Sequence, residues 1–133
     1  MKRKLVSLAS ALVLMLALAC SASAAWSDYE TLSVPGWDGS KIGSKYALKE
    51  SDDTQCTFYA SENQAWGLYG VDGRLVQDQE PYSSWARDMH SGVTCRAACT
   101  AVKGEEYQAQ LSTDKLEPNT IKVKFKFSPD YEL

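Results

Sequence analysis

The chain has 133 residues, with 14 Lys and Arg against 17 Asp and Glu, and its formal net charge is −3. Hydrophobic residues make up 44% and charged residues 23%, which excludes a disordered or low-complexity polypeptide and sets the scale of one globular domain. The acidic balance argues against a nucleic-acid partner.

Residues 1–24 read as a secretory signal peptide. Lys2, Arg3 and Lys4 form a positive start, an apolar run from Leu5 to Ala19 is broken only by Ser7 and Ser10, and Ala22-Ser23-Ala24 has the small-x-small spacing of a cleavage site. The run falls short of the roughly 20 residues that a spanning helix needs. No second such run follows, so no transmembrane domain is expected in residues 25–133. A rival reading is a lipoprotein box, Ala17-Leu18-Ala19-Cys20, which would anchor the protein through Cys20. Removing 24 of the 133 residues leaves 109, one domain's worth. The leader holds three of the 14 basic residues and no acidic one, so the remainder carries 11 against 17, a balance of −6.

Residues 29–34 begin a series of short strand-like runs. Pro35-Gly36 and Asp38-Gly39 are turn signals before a second run over 41–49, and a third covers 55–60. Asp72-Gly73 predicts a type I′ hairpin turn pairing 66–71 with 74–78, because Asp tolerates and Gly accepts the positive φ that such turns need. Further runs cover 84–89, 93–101 and 107–112. Residues 113–117 read as a short turn of helix and 117–120 as a turn. Residues 121–127 give the strongest signal: Ile121, Val123, Phe125 and Phe127 alternate with Lys122, Lys124 and Lys126. Seven or eight short strands at regular spacing predict an all-β domain over 25–133, a small antiparallel β-sandwich or small barrel. The three lysines read as protection of an edge strand, or alternatively as a docking face for an anionic envelope polymer.

Beyond the leader there are three cysteines, Cys56, Cys95 and Cys99. If 93–101 is a strand, Cys95 and Cys99 share a face but stand about 13 Å apart, too far for a disulfide. If it is a helix, Cys95, Ala98, Cys99 and Val102 share a face and the two thiols are neighbours. The β pattern on either side favours the strand. In a disulfide-permissive compartment Cys56 is then expected to pair with Cys95 or with Cys99, leaving one thiol buried or linking two chains. Cys95, Cys99, His90 and Cys56 are the right ligand types for zinc, but the C-x-x-x-C spacing is not that of a zinc finger or ribbon, and no metal or cofactor is expected. His90 with Ser83, Ser84 or Ser91 could be a base and nucleophile, yet no G-x-S-x-G elbow is present and a non-enzymatic protein is expected. Asp38-Gly39, Asp52-Asp53 and Asp72-Gly73 lack the spacing of a calcium loop and are explained by turn chemistry.

Trp26, Trp37, Trp66 and Trp85 all lie beyond the leader, with seven tyrosines. Trp66 and Trp85 are assigned to the core, and Trp37, among turn residues, to the surface. Trp37, Tyr46, Tyr59 and Tyr69, with Lys122, Lys124 and Lys126, are the candidate ligand-facing residues.

The signal peptide, about a hundred mature residues, the aromatic-rich β pattern and the Val34-Pro35-Gly36-Trp37 opening resemble small secreted β-sandwich proteins of Gram-positive bacteria, including lactococcin-972-like bacteriocins. That resemblance implies an antimicrobial that interferes with wall synthesis in related bacteria. It covers the mature chain loosely, and no functional residue is carried over from it. The expected protein is a secreted, non-enzymatic β-sandwich, monomer or disulfide-linked dimer, that binds an extracellular or cell-envelope partner. A bacteriocin-like antimicrobial and a carbohydrate-binding module are the alternatives.

Overall fold

The alternation of residues 121–127 is realised as a strand with two unlike faces. In the computed structural model, which describes residues 26–63 and 69–133, Ile121, Val123, Phe125 and Phe127 are buried, Lys122 and Lys124 exposed and Lys126 half-buried. Ten strands are described: β1 (Glu30–Val34), β2 (Ser40–Ile42), β3 (Ala47–Leu48), β4 (Gln55–Asn63), β5 (Val71–Gln77), β6 (Glu80–Pro81), β7 (Ala86–Met89), β8 (Thr94–Ala98), β9 (Glu106–Ser112) and β10 (Ile121–Ser128). The signal-peptide residues, Cys20, Trp66 and the first half of the expected 66–71 strand lie outside the described residues.

Two antiparallel sheets result. The first has the order β1-β10-β4-β8; the second has β2-β9-β5-β6, with β3 also on β9 and β7 also on β5. Period-2 alternation sends one set of side chains from each sheet into a shared core. Phe58, Ala60, Val123, Phe125 and Phe127 come from the first sheet, and Val71, Leu75, Met89, Ala109 and Leu111 from the second. Phe58 stacks on Phe127 at 6.1 Å between centroids, and Phe127 on Phe125 at 6.5 Å. Burying each such ring contributes about 1.5–3 kcal/mol. This is the all-β sandwich that the strand pattern predicts.

Several details differ from the sequence reading. The lysine strand is not an edge: β10 is hydrogen-bonded to β1 on one side and β4 on the other. Its ladder groups are already used, so the lysines have no edge to protect. Asp72-Gly73 is not a turn. Both residues lie within β5, neither has positive φ, and Gly73 pairs with Leu111 of β9. Gly73 is required by packing, since a Cβ there would sit 2.8 Å from the Phe58 ring. The two-residue turn comes later, at Asp78-Gln79, with φ of 50° and 69°, and joins β5 to β6. Glutamine is a poor marker of positive φ, so the sequence hid it. The turn after β1 is centred one residue early, on Trp37 and Asp38, with φ of 56° and 60°.

Residues 41–49 split into β2 and β3 because the Glu30 carboxylate pulls the chain aside, accepting bonds from the Ser44 and Lys45 amides. In place of a helical turn over 113–117, residues 114–117 form a β-turn closed by the Glu117 amide on the Asp114 carbonyl at 3.1 Å. The Val93–Ala101 stretch is extended, with β8 at its centre. Trp85 is half-buried under the Arg74 guanidinium, 4.4 Å from the ring centroid, and is not part of the core.

Candidate functional site

The outer face of the first sheet gathers cations and rings. Lys126 of β10 is opposite Tyr59 of β4, which is opposite Thr94 of β8. These three form a row across three strands. Ser27 anchors the chain beside the same end of β10: its amide donates to the Phe127 carbonyl at 2.7 Å, and its hydroxyl accepts the Phe127 amide at 3.0 Å. That clamp sets Trp26 and Tyr29 next to Lys126. The Lys126 ammonium lies 4.2 Å from the Trp26 centroid, 5.4 Å from Tyr29 and 5.9 Å from Tyr59, all within cation–π range. Lys124 lies 5.7 Å from Tyr29. Trp26, Tyr29, Tyr59, Thr94, Lys126 and Leu133 line a recess of about 300 Å³, the lower end of the size range of small-ligand sites.

The chain's last residues bound this face. The Thr57 hydroxyl donates to the Asp130 carbonyl and accepts the Glu132 amide, both at 2.9 Å, which explains why an outward-pointing threonine is fully buried. Arg96 donates to the Glu132 carbonyl and lies 4.6 Å from the Tyr131 ring.

Charge separates this recess from the polar groove on the second sheet. In that groove of about 340 Å³, Arg87 is ion-paired with Asp72 at 2.6 Å and Arg74 donates to Gln110 at 2.8 Å. Both of its arginines already have partners. No ion pair joins Lys122, Lys124 or Lys126 to a carboxylate among the described residues. The ring faces that hold Lys126 leave its N–H donors with acceptor needs that three aromatic rings satisfy only in part. The recess can therefore accept an anionic group at Lys126, with a flat ring against Tyr59 or Tyr29 and hydroxyl bonds from Thr94.

Of the predicted ligand-facing residues, the fold places Tyr59 and Lys126 in the recess and Lys124 and Lys122 on the face beside it. Trp37, 67% exposed at the β1–β2 turn, Tyr46 between β2 and β3, and Tyr69 before β5 do not line it. Sequence reasoning missed Trp26, Tyr29 and Thr94. The spacing of Trp26 and Tyr29 before a strand was the available signal, but the antiparallel β1–β10 register that carries them to Lys126 joins the two ends of the domain. Of the candidate nucleophiles, Ser83 is occupied by main-chain bonds from the Leu75 amide and to the Ser84 carbonyl, and Ser91 by the Asn63 amide.

The predicted bridge from Cys56 is not formed: Cys56, Cys95 and Cys99 are free thiols. The Cys56 thiol donates to the Ala97 carbonyl at 3.5 Å and the Cys99 thiol to the Pro129 carbonyl at 3.7 Å. Their mutual influence is the main one on both groups, raising Cys56 far above the ordinary thiol range and lowering Cys99. Burial raises Cys95.

Fold and face together define a two-sheet antiparallel β-sandwich with one basic, aromatic sheet surface. Comparison with known protein families, curated proteins and solved structures finds no match to this chain.

Proposed function

We propose that this is a secreted, non-enzymatic binding protein whose partner is an anionic polysaccharide of the extracellular space or cell envelope, held on the Lys126 recess. The observation that carries the reading is a lysine with no carboxylate partner among the described residues, ringed by Trp26, Tyr29 and Tyr59 on an otherwise acidic chain. A local basic patch on an acidic surface concentrates anions where it lies and repels them elsewhere, which favours docking in one orientation. Lys122 and Lys124 extend the patch along β10, which suits a repeating chain of charged sugars better than a single small molecule. The signal-peptide pattern of residues 1–24 supports placement outside the cell.

Titration with polygalacturonate, read by tryptophan fluorescence, tests this. Trp26 emission is expected to shift with polygalacturonate and not with neutral dextran, and the response is expected to weaken with added salt. Lys126→Gln is expected to weaken binding at least about tenfold, equivalent to about 1.4 kcal/mol. Equal binding by wild type and Lys126→Gln, or no response to the acidic polymer, would sink the proposal. Growth inhibition of related bacteria that persists in Lys126→Gln would favour the antimicrobial reading instead.

A further inference from the structure

Cys56 and Cys99 sit on adjacent strands of one sheet, in unlike surroundings. Cys56 lies on β4 opposite Ala97 of β8, its side chain fully buried. Cys99 follows β8 directly. Its amide donates to the Thr54 carbonyl at 2.8 Å, and it bridges to Ser83 on the other side. Both thiols project into the core side of the sheet, Cys56 donating to the Ala97 carbonyl at 3.5 Å and Cys99 to the Pro129 carbonyl at 3.7 Å, and each is the main influence on the other's proton. Cys95 lies opposite Phe58, and its thiol interacts with neither.

Both are buried, Cys56 at 0% and Cys99 at 7% exposure, but only one borders open space. A cleft of about 350 Å³ is lined by residues 81–84 and 98–100, Cys99 among them and Cys56 not. After the Cys56 thiol, which is the main influence lowering Cys99, the positive charge of the buried Lys49 ammonium also favours the thiolate; Lys49 and the Cys99 thiol both donate to the Pro129 carbonyl, at 2.8 and 3.7 Å. A thiol at the floor of a cleft that favours its anion, beside a fully enclosed thiol that keeps its proton, is the arrangement that thiol–disulfide exchange needs.

We propose that Cys56 and Cys99 form a thiol–disulfide exchange pair, in which Cys99 attacks an incoming disulfide through the cleft and Cys56 then closes an internal bridge. The oxidant is a small or protein disulfide, R–S–S–R. The Cys99 thiolate bonds to one of its sulfurs and the S–S bond breaks, releasing RS⁻. Capping Cys99 removes the anion that held the proton on Cys56. Cys56 then loses that proton to the released thiolate or to water, and its sulfur attacks Cys99, breaking the mixed disulfide and releasing a second RS⁻. Two protein thiols have lost two electrons and two protons, and the oxidant has become two thiols. Cys95 takes no part.

The test is exposure of the reduced, purified protein to oxidised glutathione, followed by alkylation, intact mass and peptide mapping. Wild type is expected to yield a Cys56–Cys99 bridge with Cys95 alkylated. Cys56→Ala is expected to trap glutathione on Cys99, and Cys99→Ala is expected to slow adduct formation at Cys56 at least about tenfold. Glutathione mapping to Cys95, a bridge involving Cys95, or equal adduct rates in the two variants would overturn the proposal. Differential alkylation of wild type alone covers the case of a variant that does not fold: Cys99 is expected to react before Cys56, and the reverse order counts against it.

Discussion

Lys49→Met is expected to destabilise the protein by about 3–5 kcal/mol, because it leaves buried charge without its partner. Lys49 is 1% exposed and sits just past β3, its amide bonded to the Glu105 carbonyl. Its ammonium has four acceptors: the Asp53 carbonyl at 2.7 Å, Asp53 Oδ1 at 2.8 Å, the Pro129 carbonyl at 2.8 Å and Asp130 Oδ1 at 3.2 Å. Asp130, itself 4% exposed, also receives the Glu50 and Ser51 amides and the Ser51 hydroxyl. One cation thus ties the segment after β3 to the chain's last residues, 80 positions away. Methionine fills the volume but removes every donor. Thermal unfolding is expected to show a midpoint lower by at least about 12 °C for a domain of this size. Lys122→Met, at an exposed site on β10, is the control and is expected to stay within about 0.5 kcal/mol of wild type. A loss below about 1 kcal/mol for Lys49→Met would show that the cluster's desolvation cost cancels its attraction.

The same cluster predicts an acid limb. Burial pushes the Asp53 carboxyl up, but bonds from Lys49, Ser51 and the Tyr131 amide, with the Lys49 charge, hold it down to about 2. The folded value lies below the unfolded one, so Asp53 stabilises the fold fully above about pH 4, and that contribution is lost as pH falls toward 2. Allowing for the partial exposure of Asp53, the contribution is roughly 1–2 kcal/mol. Burial alone would lower Lys49, yet its bonds to Asp53 and Asp130 outweigh that and raise it. Its contribution is therefore present below the ordinary lysine range and lost only at higher pH. The gap in stability between wild type and Lys49→Met, measured by urea unfolding, is expected to be widest near neutral pH and to narrow toward pH 2. A gap independent of pH would mean that methionine acts through packing and not through charge.

The sequence carried the strands better than their partners. Residues 121–127 were legible because a half-buried strand writes its two faces into alternate positions. The order β1-β10-β4-β8 was not legible, because no local pattern says which strands will flank a lysine-bearing one. For that reason the lysines read as an edge device when β10 is in fact interior. Asp72-Gly73 misled because glycine serves two purposes, positive φ and close approach, and only the second applies to Gly73. Asp78-Gln79, the true tight turn, has no glycine to mark it. Trp26 and Tyr29 reach Lys126, and Lys49 reaches Asp130, through contacts spanning most of the domain, so neither cluster has a local signature. Neither spacing nor the β4–β8 register chooses between Cys95 and Cys99 as neighbour of Cys56, because both stand two residues from its partner Ala97 on the same face; what sets Cys99 apart is its place beside the Pro129 carbonyl and the cleft next to Ser83.

Gly73 and Phe58 are expected to behave as one unit across the two sheets. Phe58 is fully buried on β4 and stacked on Phe127, and its ring lies against the bare Cα of Gly73 on β5. Phe58→Ala is expected to cost about 3–5 kcal/mol, the transfer term plus the cavity it leaves. Gly73→Ala needs no unusual backbone angle, so its cost is steric. The new methyl would meet Phe58 Cδ1 at 2.8 Å and Cε1 at 3.1 Å. That ring is held by Phe127 and cannot swing aside freely, so a loss of about 1–3 kcal/mol is expected. In the Phe58→Leu background the ring edge is absent, and the same methyl fills space in place of clashing. A double-mutant cycle by chemical denaturation is therefore expected to give a coupling of at least about 1 kcal/mol, with Gly73→Ala close to neutral or stabilising once the Phe58 ring has been replaced by the smaller aliphatic side chain. Strict additivity of the two changes would mean that the sheets yield apart to admit the methyl, and that the close approach at Gly73 does not fix the spacing of the sandwich.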